Sequence, residues 1–246
     1  MNRKCQSAFW LLVLSASWML ACGVNEEDYD AGVEAYANGD FQTAMAKFRP
    51  LAEHGHAAAQ TSLGVIYYQG QGVPADYPEA VKWYKLAAAQ GYSDALYNMG
   101  IAYAEGKGVE KNAQEALRWY RMAGDAGHSG AQFLLGDVYS RGVGVDQDEV
   151  EAARWYLAAA ERGHGAAQVK VAGLYASGGH GLPLDLTKAH MWYYIAASQD
   201  DPAIRTQAET ARRRASTGEM DDFEIAESER LAREWLARFR ENSRNP

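Results

Sequence analysis

Apolar and small residues recur at helical spacing along most of this chain. The apolar positions of one stretch are Ala95, Met99, Ala102 and Tyr103, followed by Ala116, Trp119, Tyr120 and Ala123. Each group falls on one face of a helix, which predicts two helices with a single apolar stripe each. Gly106-Lys107-Gly108 separates them, because glycine permits backbone turns that a side chain opposes. The unit of structure is therefore a helical hairpin.

This hairpin is repeated along the chain. Glycines that end the hairpins lie 36 residues apart, and a Trp-Tyr pair recurs in each second helix. The repeated positions are Gly55, Gly91, Gly127 and Gly163, with Trp83-Tyr84, Trp119-Tyr120, Trp155-Tyr156 and, one residue late, Trp192-Tyr193. Such a period is typical of solenoids, in which each unit buries its apolar face by stacking on its neighbours. We expect an all-α solenoid of stacked antiparallel helix pairs. This fold class favours a binding function over a catalytic one.

The period predicts four units over residues 56–200, with a helical cap on each side. Residues 29–55 form a shorter opening hairpin that turns at Gly39-Asp40. Residues 201–246 form a C-terminal cap of two helices. Asp201-Pro202 opens the first helix, and Asp221 with Glu224 forms a capping box for the second.

Glycine also recurs inside the first helices, at Gly64, Gly100 and Gly136. Glycine there costs about 1 kcal/mol relative to alanine. Close contact between the paired helices would justify that cost. Ala172 takes the same place in the last unit, so the position requires a small residue.

Several segments of the repeat resemble a known family. They are Ala59-Gln-Thr-Ser-Leu-Gly-Val-Ile-Tyr67, Gly70-Gln-Gly-Val73, Ala80-Val-Lys-Trp-Tyr84 and Ala87-Ala-Ala-Gln-Gly91. The pattern resembles the Sel1-like repeat, a relative of the tetratricopeptide repeat. The resemblance implies a right-handed superhelix whose first helices line a concave face, and it implies a scaffold that binds other proteins.

The N-terminus has the features of an export signal. Arg3 and Lys4 precede an apolar run over residues 8–20, which is too short to span a bilayer comfortably. Met19-Leu-Ala-Cys22 resembles the lipobox of bacterial lipoproteins. This predicts a signal peptide at 1–21, a lipidated Cys22 and a linker over 22–28, and Gly23 in place of Asp resembles lipoproteins of the outer membrane. The same residues also fit ordinary signal cleavage, which would leave a soluble protein.

Cysteine and charge agree with that prediction. Cys5 would leave with the signal, so Cys22 would be the only cysteine and no intramolecular disulfide could form.

Without residues 1–21, the chain has 22 Lys and Arg and 32 Asp and Glu, which gives a formal charge of −10. Such acidity disfavours nucleic acid as a partner. The membrane would be reached through the lipid anchor.

The sequence contains no motif that indicates catalysis or a cofactor. Ser-x-x-Lys, Gly-x-Ser-x-Gly and His-Glu-x-x-His are all absent after the signal. His56, His128 and His164 occupy the same turn position of successive repeats, where Tyr92 stands in the second copy, so they are spread along the chain instead of forming a metal site. We expect no enzyme activity, no cofactor and no metal.

Surface positions that vary between repeats are the candidate binding residues. They lie off the core stripe of the first helices. The candidates are Val65, Tyr68, Tyr97, Ile101, Phe133 and Asp137. By resemblance they would line a concave groove with aromatic anchors for a peptide or protein segment. The alternative is that these side chains pack against the neighbouring unit.

These observations together predict a non-catalytic lipoprotein of the bacterial cell envelope, which faces the periplasm from the outer membrane and gathers other envelope proteins. Two alternatives remain open. One is binding of cell-wall glycan, for which an aromatic groove is equally suitable. The other is penicillin binding or hydrolysis, which is associated with cysteine-rich Sel1-like relatives.

Overall fold

The computed structural model describes residues 26–216 and 220–244, and all regular elements within these ranges are helices. The predicted signal peptide and Cys22 lie outside the described residues. The helices are α1 Glu26–Ala37, α2 Phe41–Glu53, α3 Ala57–Gln69, α4 Tyr77–Ala88, α5 Ser93–Glu105, α6 Ala113–Asp125, α7 Ser129–Arg141, α8 Glu149–Glu161, α9 Gly165–Ser177, α10 Leu186–Ala197, α11 Pro202–Ser216 and α12 Asp222–Arg244. The all-α fold class is confirmed.

Helix α1 begins earlier than the sequence pattern predicts. Its first turn is Glu26, Glu27 and Asp28, which the sequence pattern assigns to the linker over 22–28. Three acidic side chains at a helix N-terminus interact favourably with the helix dipole, which explains why the helix extends through them. The opening hairpin therefore starts at Glu26 and not at Tyr29.

The chain divides into two compact units, residues 1–116 and 117–246, with the division inside α6. In unit 1, helices α1 to α5 pack in chain order, α1 on α2, α2 on α3, α3 on α4 and α4 on α5. Its core is continuous across α2, α3 and α4. The buried members include Ala44, Phe48, Leu51, Ala59, Leu63, Ile66 and Trp83.

In unit 2, the helices α7 to α11 also pack on their sequence neighbours, and α12 packs on α10. The core runs through α8, α9 and α10 to Ala232 of α12. Trp235 of α12 meets Trp192 edge to face, with ring centroids 5.5 Å apart, and stacks on Phe239 at 4.8 Å. The terminal helix thus completes the apolar core of the last repeat.

The mid-helix glycines allow the close approach that the sequence predicts. A Cβ atom built at Gly136 would lie 2.5 Å from the ring of Tyr156 on the paired helix. At Gly64 the same atom would collide with the ring of Tyr84. Both tyrosines are about 2% exposed. Tyr84 and Tyr156 therefore pack directly on the glycine backbone of their hairpin partners.

The capping box predicted at the start of α12 is present. The backbone N–H of Asp221 donates to Glu224 Oε2 at 3.0 Å, and the N–H of Glu224 donates to Asp221 Oδ1 at 2.8 Å. At the start of α11, Asp201 Oδ1 accepts from the N–H of Ala203 at 2.8 Å. Side-chain acceptors therefore satisfy the first N–H groups of both helices of the C-terminal cap.

Buried glutamines form a recurring link that the sequence analysis did not predict. The side-chain amides of Gln60, Gln132 and Gln168 donate to the carbonyl oxygens of Ala52, Gly124 and Ala160 near the ends of the preceding helices, at 2.9, 2.9 and 3.2 Å. Gln90 donates to Oε1 of Gln60 and Gln199 donates to Oε1 of Gln168, each at 2.9 Å. The available signal was their place at the same position of three repeats, where Leu96 stands in the remaining one.

Candidate functional site

An apolar groove lies on unit 1, where the first helices of successive hairpins meet. It has a volume of about 290 Å³. We call it the unit 1 groove, and its lining residues are Tyr29, Val33 and Tyr36 of α1, Phe48 of α2, Ala58, Thr61, Ser62 and Val65 of α3, and Tyr92, Asp94 and Asn98 at α5. Its volume is near the lower limit for ligand pockets, about 300 Å³. It can accept a few anchoring side chains of a larger partner.

Aromatic packing fixes the wall of this groove. The ring of Tyr29 lies 5.5 Å from the ring of Phe48 and 5.0 Å from that of His56, centroid to centroid. Phe48 is buried, whereas 43% of Val33 is exposed between the two tyrosines of α1. The groove therefore offers an exposed apolar residue on a rigid aromatic support, which suits an anchoring contact.

The α5 side of the groove is polar and acidic. Burial of Tyr92, reinforced by the negative charge of Asp94, raises the pKa of the Tyr92 phenol to about 12. Tyr92 thus remains a neutral hydroxyl at physiological pH beside a carboxylate. Asn98 adds an amide one turn further along α5. The groove combines an apolar wall with a polar, negatively charged edge.

Of the six binding residues predicted from the sequence, Val65 lies in the unit 1 groove. Tyr97 and Ile101 are half-buried on α5, outside the groove lining. Tyr29, Val33 and Tyr36, which do line it, were missed because the opening hairpin was assigned a capping role alone. Their spacing at i, i+4 and i+7 was a signal that could have revealed them.

Tyr68 is held by contacts within unit 1. Its hydroxyl donates to Glu105 Oε2 at 2.8 Å, and its ring meets that of Tyr77 edge to face at 5.2 Å. The Lys107 ammonium lies 5.4 Å from the Tyr68 ring centroid. Hydrogen bonds from Lys107 and Tyr68 lower the pKa of the Glu105 carboxyl. These contacts match the packing alternative and join neighbouring repeats.

Phe133 and Asp137 also make contacts within their own unit. Phe133 stacks on the His164 ring at 4.6 Å and lies 5.7 Å from the Tyr156 ring. Asp137 accepts a hydrogen bond of 2.6 Å from the Tyr156 hydroxyl. Phe133 still borders a second cavity of about 520 Å³, which we call the unit 2 cavity and which is lined by Phe133, Ala166, Val169, Lys170, Gly173, Leu174, Tyr193 and Gln207. Partner binding by Phe133 and Asp137 stays a prediction.

The repeated histidines are helix N-caps. Nδ1 of His56, His128 and His164 accepts from the N–H of Ala59, Ala131 and Ala167 at 3.2, 3.0 and 3.3 Å. An accepting Nδ1 requires a neutral ring, and burial, together with nearby His128, lowers the pKa of His164 and so favours that form. Tyr92, at the same position of its repeat, forms no side-chain cap. These rings therefore have a structural role.

One serine and one histidine meet in the core of unit 2. His190 Nδ1 lies 2.7 Å from Ser228 Oγ, but the Ser228 hydroxyl donates its proton to the Ile225 carbonyl at 2.7 Å. His190 must therefore donate to Ser228 instead of accepting its proton. Ser228 is 0% exposed. A nucleophilic serine must donate its proton to the histidine and must be accessible to substrate, and Ser228 meets neither requirement.

Within the described ranges, no three His, Cys, Asp or Glu side chains are grouped as a metal site would require. No helix among residues 26–216 and 220–244 combines the length and the apolar character needed to cross a membrane.

Successive helical hairpins share a length, a Trp-Tyr pair in the second helix and a glycine after it. Stacked hairpins of this kind define a helical repeat protein. The Sel1 repeat matches residues 57–92, 93–128, 129–164 and 165–201, so the chain belongs to the Sel1 repeat family. Proteins of this family generally mediate interactions between proteins, and their scaffold is typically non-catalytic. No curated protein matches the chain.

Solved structures that are similar to this chain include two that are more than 30% identical to it. A Sel1 repeat protein from Oxalobacter formigenes is 34% identical with a TM-score of 0.63, over 68% of this chain and 48% of that protein. A protective antigen present in uropathogenic Escherichia coli strains, which displays an SLR fold, is 31% identical with a TM-score of 0.64, over 84% of this chain and 45% of that protein. The chain spans less than half the length of either relative.

Proposed function

We propose that this protein is a non-catalytic scaffold of the bacterial envelope, which is anchored by a lipid on Cys22, faces the periplasm from the outer membrane and binds a segment of another protein. The unit 1 groove is the observation that supports this proposal most directly. Three successive first helices contribute to one apolar surface, as a peptide-binding repeat protein requires. The family's general role in binding proteins agrees with it.

Val33 is the best position from which to test the groove, because it is exposed and apolar within the lining. Leu86 of α4 is a matched control, since the exposed fractions of the two side chains are 43% and 45%. A photo-crosslinking amino acid at each position, introduced in cells, reports what lies against each face. We expect a discrete protein adduct from position 33 and none from position 86.

Equal labelling from both positions would contradict the proposal, because it would show that position 33 reports only exposure. Absence of an adduct, combined with sedimentation of the protein with purified sacculi, would favour cell-wall glycan as the ligand of the aromatic lining. Rapid turnover of nitrocefin by the purified protein would contradict the non-catalytic assignment. Ser228, which lies beside His190, is 0% exposed and is therefore not available for acylation.

A further inference from the structure

The charges of unit 1 are separated by helix. The first helices α1, α3 and α5 contain seven acidic side chains and neither lysine nor arginine. The acids are Glu26, Glu27, Asp28, Asp30, Glu34, Asp94 and Glu105. The second helices α2 and α4 carry Lys47, Arg49, Lys82 and Lys85 against Glu53 and Glu79. Helices α1 and α5, on two sides of the groove, thus carry these acids, and α3 between them is uncharged. Asp28 is paired with Lys47 and Glu105 with Lys107.

The corresponding helices of unit 2 differ. Helices α7 and α9 carry Asp137 together with Arg141 and Lys170. Lys170 lines the unit 2 cavity, whereas Asp94 lines the unit 1 groove. The acidic character is therefore a property of the unit 1 groove and not of every first helix in the repeat.

Two further acids flank the apolar stripe of α1. Glu26 lies three residues before Tyr29, and Asp30 lies three residues before Val33, the spacing at which helical side chains are neighbours. Both are exposed, and neither forms an ion pair with any described residue. Their charges are therefore available to a partner that lies along the groove.

The helix dipole accounts for only some of these acids. Asp94 lies in the first turn of α5, and Glu26 lies in the first turn of α1, where negative charge stabilises a helix. Asp30 and Glu34 lie beyond the first turn of α1. The helix dipole therefore does not account for these two acids, and Asp30 lies beside the exposed apolar residue Val33.

We propose that the unit 1 groove binds a linear, cationic amphipathic segment of a partner protein, with apolar side chains against Tyr29, Val33 and Val65 and with lysine or arginine facing Asp30 and Asp94. The inference rests on the proposed function and adds the chemical class of the partner. Attraction between the basic side chains of the segment and the acidic side of the groove increases the association rate, and repulsion excludes acidic partners. The apolar wall provides the anchoring contact.

Two labelled synthetic peptides test this class. One carries leucines at helical spacing with lysines elsewhere, and the other replaces every lysine by glutamate. Fluorescence anisotropy with the purified protein measures both affinities at low and high salt. We expect the lysine peptide to bind at least about tenfold more tightly at low salt and to lose that advantage at high salt, because exposed charge pairs are screened.

The double variant Asp30→Asn/Asp94→Asn should weaken binding of the lysine peptide several-fold and reduce its salt dependence. Glu53→Gln/Glu79→Gln is the matched control, because it also removes two negative charges, one from each of the second helices α2 and α4 of the same unit and outside the groove lining. It should leave the affinity unchanged. Thermal unfolding of each variant separates a loss of binding from a loss of folding.

Equal affinity for the two peptides, no binding of either, or equal effects of the double aspartate and the double glutamate substitutions would overturn the inference. Crosslinking from position 33 distinguishes this failure from failure of the scaffold function. An adduct with a segment that is not cationic would overturn the inference and leave the scaffold function intact. Absence of both peptide binding and an adduct would contradict both.

Discussion

At the scale of single residues, the contact between Gly136 and Tyr156 gives the sharpest stability prediction. Tyr156 is 2% exposed and its hydroxyl is bonded to Asp137, so its ring cannot move away from an added methyl group. Gly136→Ala should lower the free energy of unfolding by about 1–3 kcal/mol, the usual cost of overpacking. Chemical denaturation measures this difference.

Gly173→Ala is the control for that prediction. A Cβ atom at Gly173 would lie 3.6 Å from the Tyr193 hydroxyl, an ordinary contact, so the gain in helix propensity should dominate. The substitution should be neutral or stabilising by up to about 1 kcal/mol. If both substitutions had the same effect, backbone propensity and not the tyrosine contact would explain the glycine at position 136.

A second residue-scale prediction concerns the glutamine links. Oε1 of Gln132 is buried and accepts no hydrogen bond within the described chain, whereas the equivalent oxygens of Gln60 and Gln168 accept from Gln90 and Gln199. Arg162 stands where those donors stand in the other repeats. Arg162→Gln should supply the missing donor and raise the free energy of unfolding by about 1 kcal/mol.

The control is Arg162→Ala, which removes the same charged side chain and supplies no donor. It should give no such increase in the same denaturation experiment. A gain of equal size from both substitutions would show that loss of the arginine, and not a new amide pair, stabilises the protein.

At the scale of elements, the sequence predicted the helical hairpins because their apolar stripes, glycine turns and 36-residue period all indicate the same structure. The capping box of Asp221 and Glu224 was predictable because it depends on local spacing alone. The start of α1 was not, because acidic residues are typical both of a linker and of a first helical turn.

The candidate site was less predictable than the helices. Helical spacing places Tyr68 and Phe133 off the core stripe, but it does not show that Glu105 and His164 contact them. Such contacts depend on how one repeat meets the next within a unit. Val65 was predicted, whereas Val33 and Tyr36 belong to a hairpin whose shorter length concealed its place in the groove.

At the scale of the whole molecule, the proposed lipid anchor at Cys22 gives the last prediction. Several acyl chains on one cysteine would hold the protein stably on a membrane, as a single chain would not. The chain after residue 21 carries a formal charge of −10, so attraction to anionic lipids offers no substitute for the anchor. Cys22→Ser should therefore abolish labelling by a palmitate analogue, and the form of the variant from which the signal has been removed should move from the membrane fraction to the soluble fraction. Ser7→Ala, within the predicted signal, is the control and should change neither result. Labelling of Cys22→Ser at the wild-type level, or membrane retention of its signal-free form, would contradict lipidation at Cys22. A wild-type protein that is soluble and unlabelled would favour ordinary signal cleavage beside the same residues.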